Sequence, residues 1–136
     1  MNDRLNAAIQ NALIDGQLRC ASAFRIASDL DIPPLEVGLA ADELGIPLSH
    51  CQLGLFGYGS KAEGKHKIVE PAEDVPPDLE ASLRGAVEGK GITCKRLWEI
   101  AAQRGEPKMA MSSACEALGI KVSLCQLGAF PRPKPY

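Results

Sequence analysis

The chain contains an internal repeat, and this feature constrains its fold more than any other. When the sequence is shifted by 74 positions, residues 5–56 align with residues 79–130 without a gap, with 17 identities in 52 positions. The clearest block pairs LGIPLSHCQLGLF at 44–56 with LGIKVSLCQLGAF at 118–130. Because self-similarity of this length marks a repeated structural unit, we expect two copies of one fold of about 55 residues.

The repeat divides the chain into four parts. Residues 1–58 and 77–131 form the two units, and residues 59–76 are rich in glycine, proline and charge, as is typical of a linker. We expect one short extended piece in this linker, at 66–70. Residues 132–136 form a basic tail with too much proline for a helix.

Apolar periodicity and helix-breaking residues predict the same elements in both units. Helices are predicted where apolar residues recur at helical spacing, and strands where they alternate. The predicted order is a helix (3–14 and 77–87), a short strand (18–20 and 92–94), a helix (21–30 and 95–103), a helix (34–44 and 108–118) and a longer strand (46–56 and 120–130). The fold class is therefore mainly α with short strands, α+β.

This order of elements resembles the winged-helix branch of the helix-turn-helix family. The resemblance rests on GITCKRLWEIAA at 91–102, a turn at 103–107 and LGI at 118–120, with matching residues in the first unit. It implies two tandem winged-helix-like units that bind DNA through the third helix in a major groove. Since one strand follows that helix, we expect the wing to be short or missing.

Charge separates the two units. The whole chain has a net charge of −2, but residues 1–60 carry −4 and residues 79–136 carry +4. Because phosphate binding needs Lys and Arg, the second unit is the predicted DNA-binding part of a transcription-regulating protein. The predicted contact residues are Lys95, Arg96, Arg104, Lys108, Ser112, Ser113, Lys121, Arg132 and Lys134.

The third helix of the first unit favours a second interpretation. It carries Glu36, Asp42 and Glu43 and no base, so a phosphate backbone would repel it. The chain is then a non-catalytic module that binds a protein partner or a second copy, since a fold alone does not fix a function. The partners under consideration are therefore double-stranded DNA, a homodimer mate and another protein.

Four of the five cysteines occupy equivalent positions, Cys20 with Cys94 and Cys51 with Cys125, whereas Cys115 stands alone. Buried packing is the ordinary role of such residues. Two further hypotheses are a metal or iron–sulfur site formed by the four thiolates, as in a thiol- or metal-sensing module, and a redox disulfide. No other cofactor is expected.

The two Cys-Gln-Leu-Gly strands leave open edges, which favour pairing. We expect them to pair with one another, within the chain or across a dimer, so that the two units share a core. No phosphate-binding loop, HExxH or GxSxG motif occurs, so no enzyme is predicted. The absence of a long apolar run and of a signal-peptide pattern predicts a cytoplasmic protein without a membrane partner.

Overall fold

The chain folds as two helix–strand–helix–helix–strand units in the computed structural model, which describes residues 3–58 and 67–130. The mainly helical class with short strands agrees with the sequence prediction. The elements are α1 (Asp3–Ala12), β1 (Leu18–Arg19), α2 (Cys20–Leu30), α3 (Pro34–Glu43), β2 (Leu48–Ser49), α4 (Pro77–Gly85), β3 (Ile92–Thr93), α5 (Cys94–Arg104), α6 (Lys108–Leu118) and β4 (Val122–Leu124).

The ends of α2 and α5 differ in detail although the helices are equivalent. Each begins at a cysteine, and the capping residue is the one before it. Thr93 Oγ1 accepts a hydrogen bond of 3.1 Å from the backbone N–H of Arg96, whereas Arg19 provides no side-chain cap. Helix α2 therefore begins without the side-chain hydrogen bond that stabilises the start of α5.

The strands are shorter than predicted and pair differently. β1 runs parallel to β2 and β3 runs parallel to β4, each within its own unit, so the expected pairing of the two Cys-Gln-Leu-Gly segments within the chain is wrong. Their pairing across a dimer stays a prediction. β2 ends at Ser49 because His50 adopts a left-handed φ of 50° and the chain turns back. The turn is closed by the Gly54 N–H, which donates to the Cys51 carbonyl at 2.9 Å.

The segments after β2 and β4 cross to the opposite unit, and we name them the first exchange loop (51–56) and the second exchange loop (125–130). Cys51 and Leu53 belong to the core formed by α4, α5 and α6. Cys125 and Leu127 belong to the core formed by α1, α2 and α3. The structure therefore has two cores, each completed by a loop of the other unit, rather than the one shared core that was expected.

Equivalent residues meet where the two units touch. Phe24 and Trp98 have ring centroids 4.3 Å apart, and Phe56 and Phe130 have centroids 6.2 Å apart. Each pair consists of residues 74 positions apart in the repeat alignment. Because a residue meets its own mate only on a twofold axis, the units are related by a pseudo-twofold axis that passes through both aromatic pairs.

The described part of the predicted linker packs on the second unit. The backbone N–H groups of Ile68 and Val69 donate to the Gly54 carbonyl at 2.9 and 3.1 Å, and the Ala72 N–H donates to the Ser113 carbonyl at 3.0 Å. Val69 is buried. Residues 67–76 therefore lie across α6. Residues 59–66, with the start of the predicted extended piece, and the 132–136 tail lie outside the described residues.

Candidate functional site

The helix predicted to enter a DNA groove, α6, is almost entirely covered. Of its eleven residues, all of them described, only Ala117 is exposed. Ser112 is completely buried, so its side chain cannot reach a phosphate or a base edge in this structure. Ser113 is half-buried beneath Ala72, and Glu116 forms an ion pair with Lys67. The segment 67–76 thus occupies the face that a recognition helix would present.

Two of the predicted DNA-binding bases form ion pairs within the second unit. Arg104 binds Asp78 at 2.7 Å and Glu106 at 2.6 Å. Arg96 pairs with Glu99 at 3.3 Å. The hydrogen bond and charge of Arg104 hold the pKa of the Asp78 carboxyl below its usual value. These ion pairs are exposed, so water and salt screen them.

Lys108 is engaged in a different way. Its Nζ lies 4.6 Å from the centre of the Trp98 ring, at the distance of a cation–π contact. Because Trp98 also touches Phe24 on the pseudo-twofold axis, Lys108 covers part of the contact between the units.

Lys95 and Lys121 are exposed, as is Lys90, which was not among the predicted contact residues. None of the three forms an ion pair with the residues that the structure describes. Lys90 precedes β3, Lys95 begins the exposed side of α5, and the Lys121 carbonyl accepts from the Ile92 N–H at 2.8 Å. We name these three lysines the basic edge. Arg132 and Lys134 lie outside the described residues.

The equivalent helix of the first unit, α3, is open where α6 is covered. Glu36, Leu39 and Glu43 are exposed and follow one another at helical spacing along one stripe. Leu39 keeps 38% of its surface exposed. Among the described residues, no partner for the carboxylates of Glu36 and Glu43 is found. We name these three residues the α3 face. The charge pattern of the sequence pointed to the two acids, but nothing in the sequence distinguished Leu39 from a core residue.

The cysteines are buried and free. Gln52 Nε2 donates to Cys20 Sγ at 3.7 Å, and Gln126 Nε2 donates to Cys94 Sγ at 3.4 Å, so the equivalent glutamines hold equivalent thiols. Burial raises the pKa of Cys20 to about 11 and that of Cys94 to about 12. These thiols are therefore neutral at physiological pH and poor nucleophiles.

The four cysteines in register lie close enough to influence one another electrostatically, but they do not form a ligand set. Cys125 raises the pKa of Cys51 and of Cys94, although burial is the larger cause for both thiols. Within residues 3–58 and 67–130, no group of three or more His, Cys, Asp or Glu side chains is arranged to hold a metal ion. All five cysteines are free thiols. Buried packing is thus the role that the geometry supports.

Comparison with known proteins gives no further assignment, because no protein-family profile, curated protein or solved structure matches the chain. Among the described helices, none is both long enough and apolar enough to span a lipid bilayer.

Proposed function

We propose that this chain is a non-catalytic protein-interaction module that presents the α3 face to a basic partner. The observation that carries the proposal is the contrast between two equivalent helices. The chain covers α6 with its own segment 67–76 but leaves the stripe Glu36–Leu39–Glu43 of α3 open.

The chemistry of the α3 face defines the partner. Two carboxylates flank an apolar side chain, so a cationic segment that also carries an apolar residue is complementary to it. Burial of Leu39 would supply affinity, while the carboxylates would supply orientation and a faster association. A net charge of −4 on residues 1–60 attracts the same class of partner over about 8 Å at physiological salt.

A fluorescein-labelled amphipathic peptide of alternating Lys and Leu clusters tests this proposal by fluorescence anisotropy. We expect the double variant Glu36→Lys/Glu43→Lys and the single variant Leu39→Asp each to weaken binding at least tenfold. The matched control is Glu73→Lys/Glu88→Lys, which changes the net charge equally at exposed positions outside α3. Equal weakening by the two double variants would mean that only net charge matters, and it would refute the proposal.

DNA binding is the second candidate, and the basic edge favours it. Lys90, Lys95 and Lys121 are exposed and unpaired among the described residues, so they are free to neutralise phosphates. In this arrangement a tandem winged-helix-like protein would meet DNA through the strand end of the second unit, with Arg96 alongside, rather than through α6.

Fluorescence anisotropy with a mixed-sequence duplex, over about 20 to 200 mM salt, tests the second candidate. Three phosphate contacts predict that log affinity falls by about 2.7 for each tenfold rise in salt. Reversing the charges of Lys90 and Lys121 should reduce affinity and flatten this slope, whereas reversing Lys108 should change it less. No binding at the lowest salt would exclude this candidate and leave the protein-interaction proposal intact.

A further inference from the structure

A cleft of about 810 Å³ opens beside α6 and β4. Both exchange loops contribute to its walls, so it exists only because the two units exchange their loops. Its apolar lining residues include Phe56, Ile120, Val122 and Phe130, and its polar lining residues include Lys67, Ser112, Glu116 and Lys121. This volume lies within the range of pockets that bind small molecules.

One difference between the repeats changes how closely an exchange loop can approach a helix beside the cleft. Position 38 of α3 is glycine, and the backbone of Leu127 approaches so closely that a Cβ at 38 would lie 1.7 Å from the Leu127 oxygen. The equivalent position in α6 is Ser112, whose Cβ excludes an equally close approach of Leu53. The second exchange loop therefore approaches α3 at Gly38 more closely than the first can approach α6 at Ser112, although the first still packs on α6 through Leu53.

The polar groups of the cleft are incompletely satisfied. Ser112 is completely buried, and its hydroxyl has no hydrogen-bond partner within the described part of the chain. Leaving such a group unpaired costs about 1–3 kcal/mol. Cys115 beside it is a neutral thiol, because burial and then the nearby Glu116 raise its pKa to about 11.

The charge of the cleft is positive. Glu116 is neutralised by Lys67, whereas Lys121 is exposed and has no carboxylate partner among the described residues. The remaining charge therefore favours an anion. Phe56 and Phe130 meet nearly edge to face, with an interplanar angle of 83°, and offer an aromatic surface in the same cleft.

We propose that this cleft binds a small amphipathic anion, with an aromatic or aliphatic body against Phe56 and Phe130 and an anionic group at Lys121. This site is separate from the α3 face, so the proposal stands independently of the proposed function.

The probe 1-anilinonaphthalene-8-sulfonate combines an aromatic body with a sulfonate and tests the site by its fluorescence on the full chain. We expect saturable binding at a single site, weakened about tenfold by Lys121→Ala. Lys95→Ala, which removes an exposed lysine outside the cleft, should leave the affinity unchanged. The neutral analogue N-phenyl-1-naphthylamine should bind wild type and Lys121→Ala equally. Unsaturable binding, or equal effects of the two lysine variants, would overturn the proposal.

The variant Ser112→Gly reproduces position 38 and provides an independent test. It removes a side chain that lines the cleft and so changes the shape of the wall. The probe should therefore bind more weakly while cooperative urea unfolding is retained. Amide shifts in a ¹⁵N-correlated spectrum should change on probe addition at Cys115, Lys121 and Phe130. Shift changes centred elsewhere would refute the site even if Ser112→Gly failed to fold.

Discussion

A methyl group added at Gly38 would disturb the packing of the second exchange loop on α3. The glycine's missing Cβ makes room for the Leu127 backbone, so we expect Gly38→Ala to lower the free energy of unfolding by about 1–3 kcal/mol. The measurement is the urea midpoint at constant m-value. Gly85→Ala is the matched control, because nothing lies within 4 Å of a Cβ there.

The control variant Gly85→Ala should raise the free energy of unfolding rather than lower it. Gly85 ends α4 and alanine has the higher helix propensity, so a gain of up to about 1 kcal/mol is expected. A loss at Gly85 as large as that at Gly38 would show that the close approach to Leu127 is not the cause.

The buried thiols make stability depend on pH in a defined direction. Burial raises the pKa of Cys20 to about 11 and of Cys94 to about 12, above the ordinary value of 9.0 that each regains on unfolding. The folded chain thus holds these protons more tightly. The stability they contribute is full below about pH 9 and is lost as the pH rises toward 11–12.

Urea unfolding at pH 7 and at about pH 10 measures this loss. The double variant Cys20→Ala/Cys94→Ala should lose less stability over this interval than wild type. An identical pH dependence in both proteins would contradict the assignment of raised pKa values to these thiols.

At the scale of the element, the caps of α2 and α5 offer a paired test. Thr93→Ala removes the hydrogen bond to the Arg96 N–H and should cost about 1 kcal/mol. Arg19→Thr transfers the same cap to α2, which has none, and should gain a similar amount. Thermal unfolding measures both. A loss in Arg19→Thr would mean that the Arg19 side chain contributes something beyond the cap position.

The helices were predictable because their signals are local. Apolar spacing and the breaks at Pro33 and Pro107 placed α3 and α6 within one residue of their observed bounds. The strands were overestimated because the alternation of 46–56 continues into the first exchange loop, where apolar residues reach a core without pairing. The packing of segment 67–76 over α6 was also not predictable, because it depends on contacts between segments that are distant in the sequence.

At the scale of the whole molecule, the exchange predicts that neither unit folds alone. A fragment of residues 1–58 lacks Cys125 and Leu127, which complete its core. We expect it to be largely unfolded by far-UV circular dichroism, and to gain helix when mixed with a fragment of residues 67–136. Cooperative unfolding of the isolated 1–58 fragment would contradict the exchange.

That the two units pack against each other was predictable from the repeat, but the exchange of loops between two separate cores was not. Cys-Gln-Leu-Gly occurs in both loops, so Leu53 and Leu127 fit either core equally well by type and spacing. Which core receives which loop depends on the direction the chain takes after β2 and β4. The cleft could not be predicted from the alignment either. The difference between Gly38 and Ser112 matters only because the Leu127 backbone approaches Gly38 closely, and the sequence does not show that approach.

The pseudo-twofold axis through Phe24–Trp98 and Phe56–Phe130 has a consequence for assembly. A chain with one repeat would complete its core only by exchanging loops with a second identical chain, and its folding would then depend on protein concentration. Two repeats in one chain remove that dependence. They also allow the two halves to differ, as they do where Gly38 of one is Ser112 of the other.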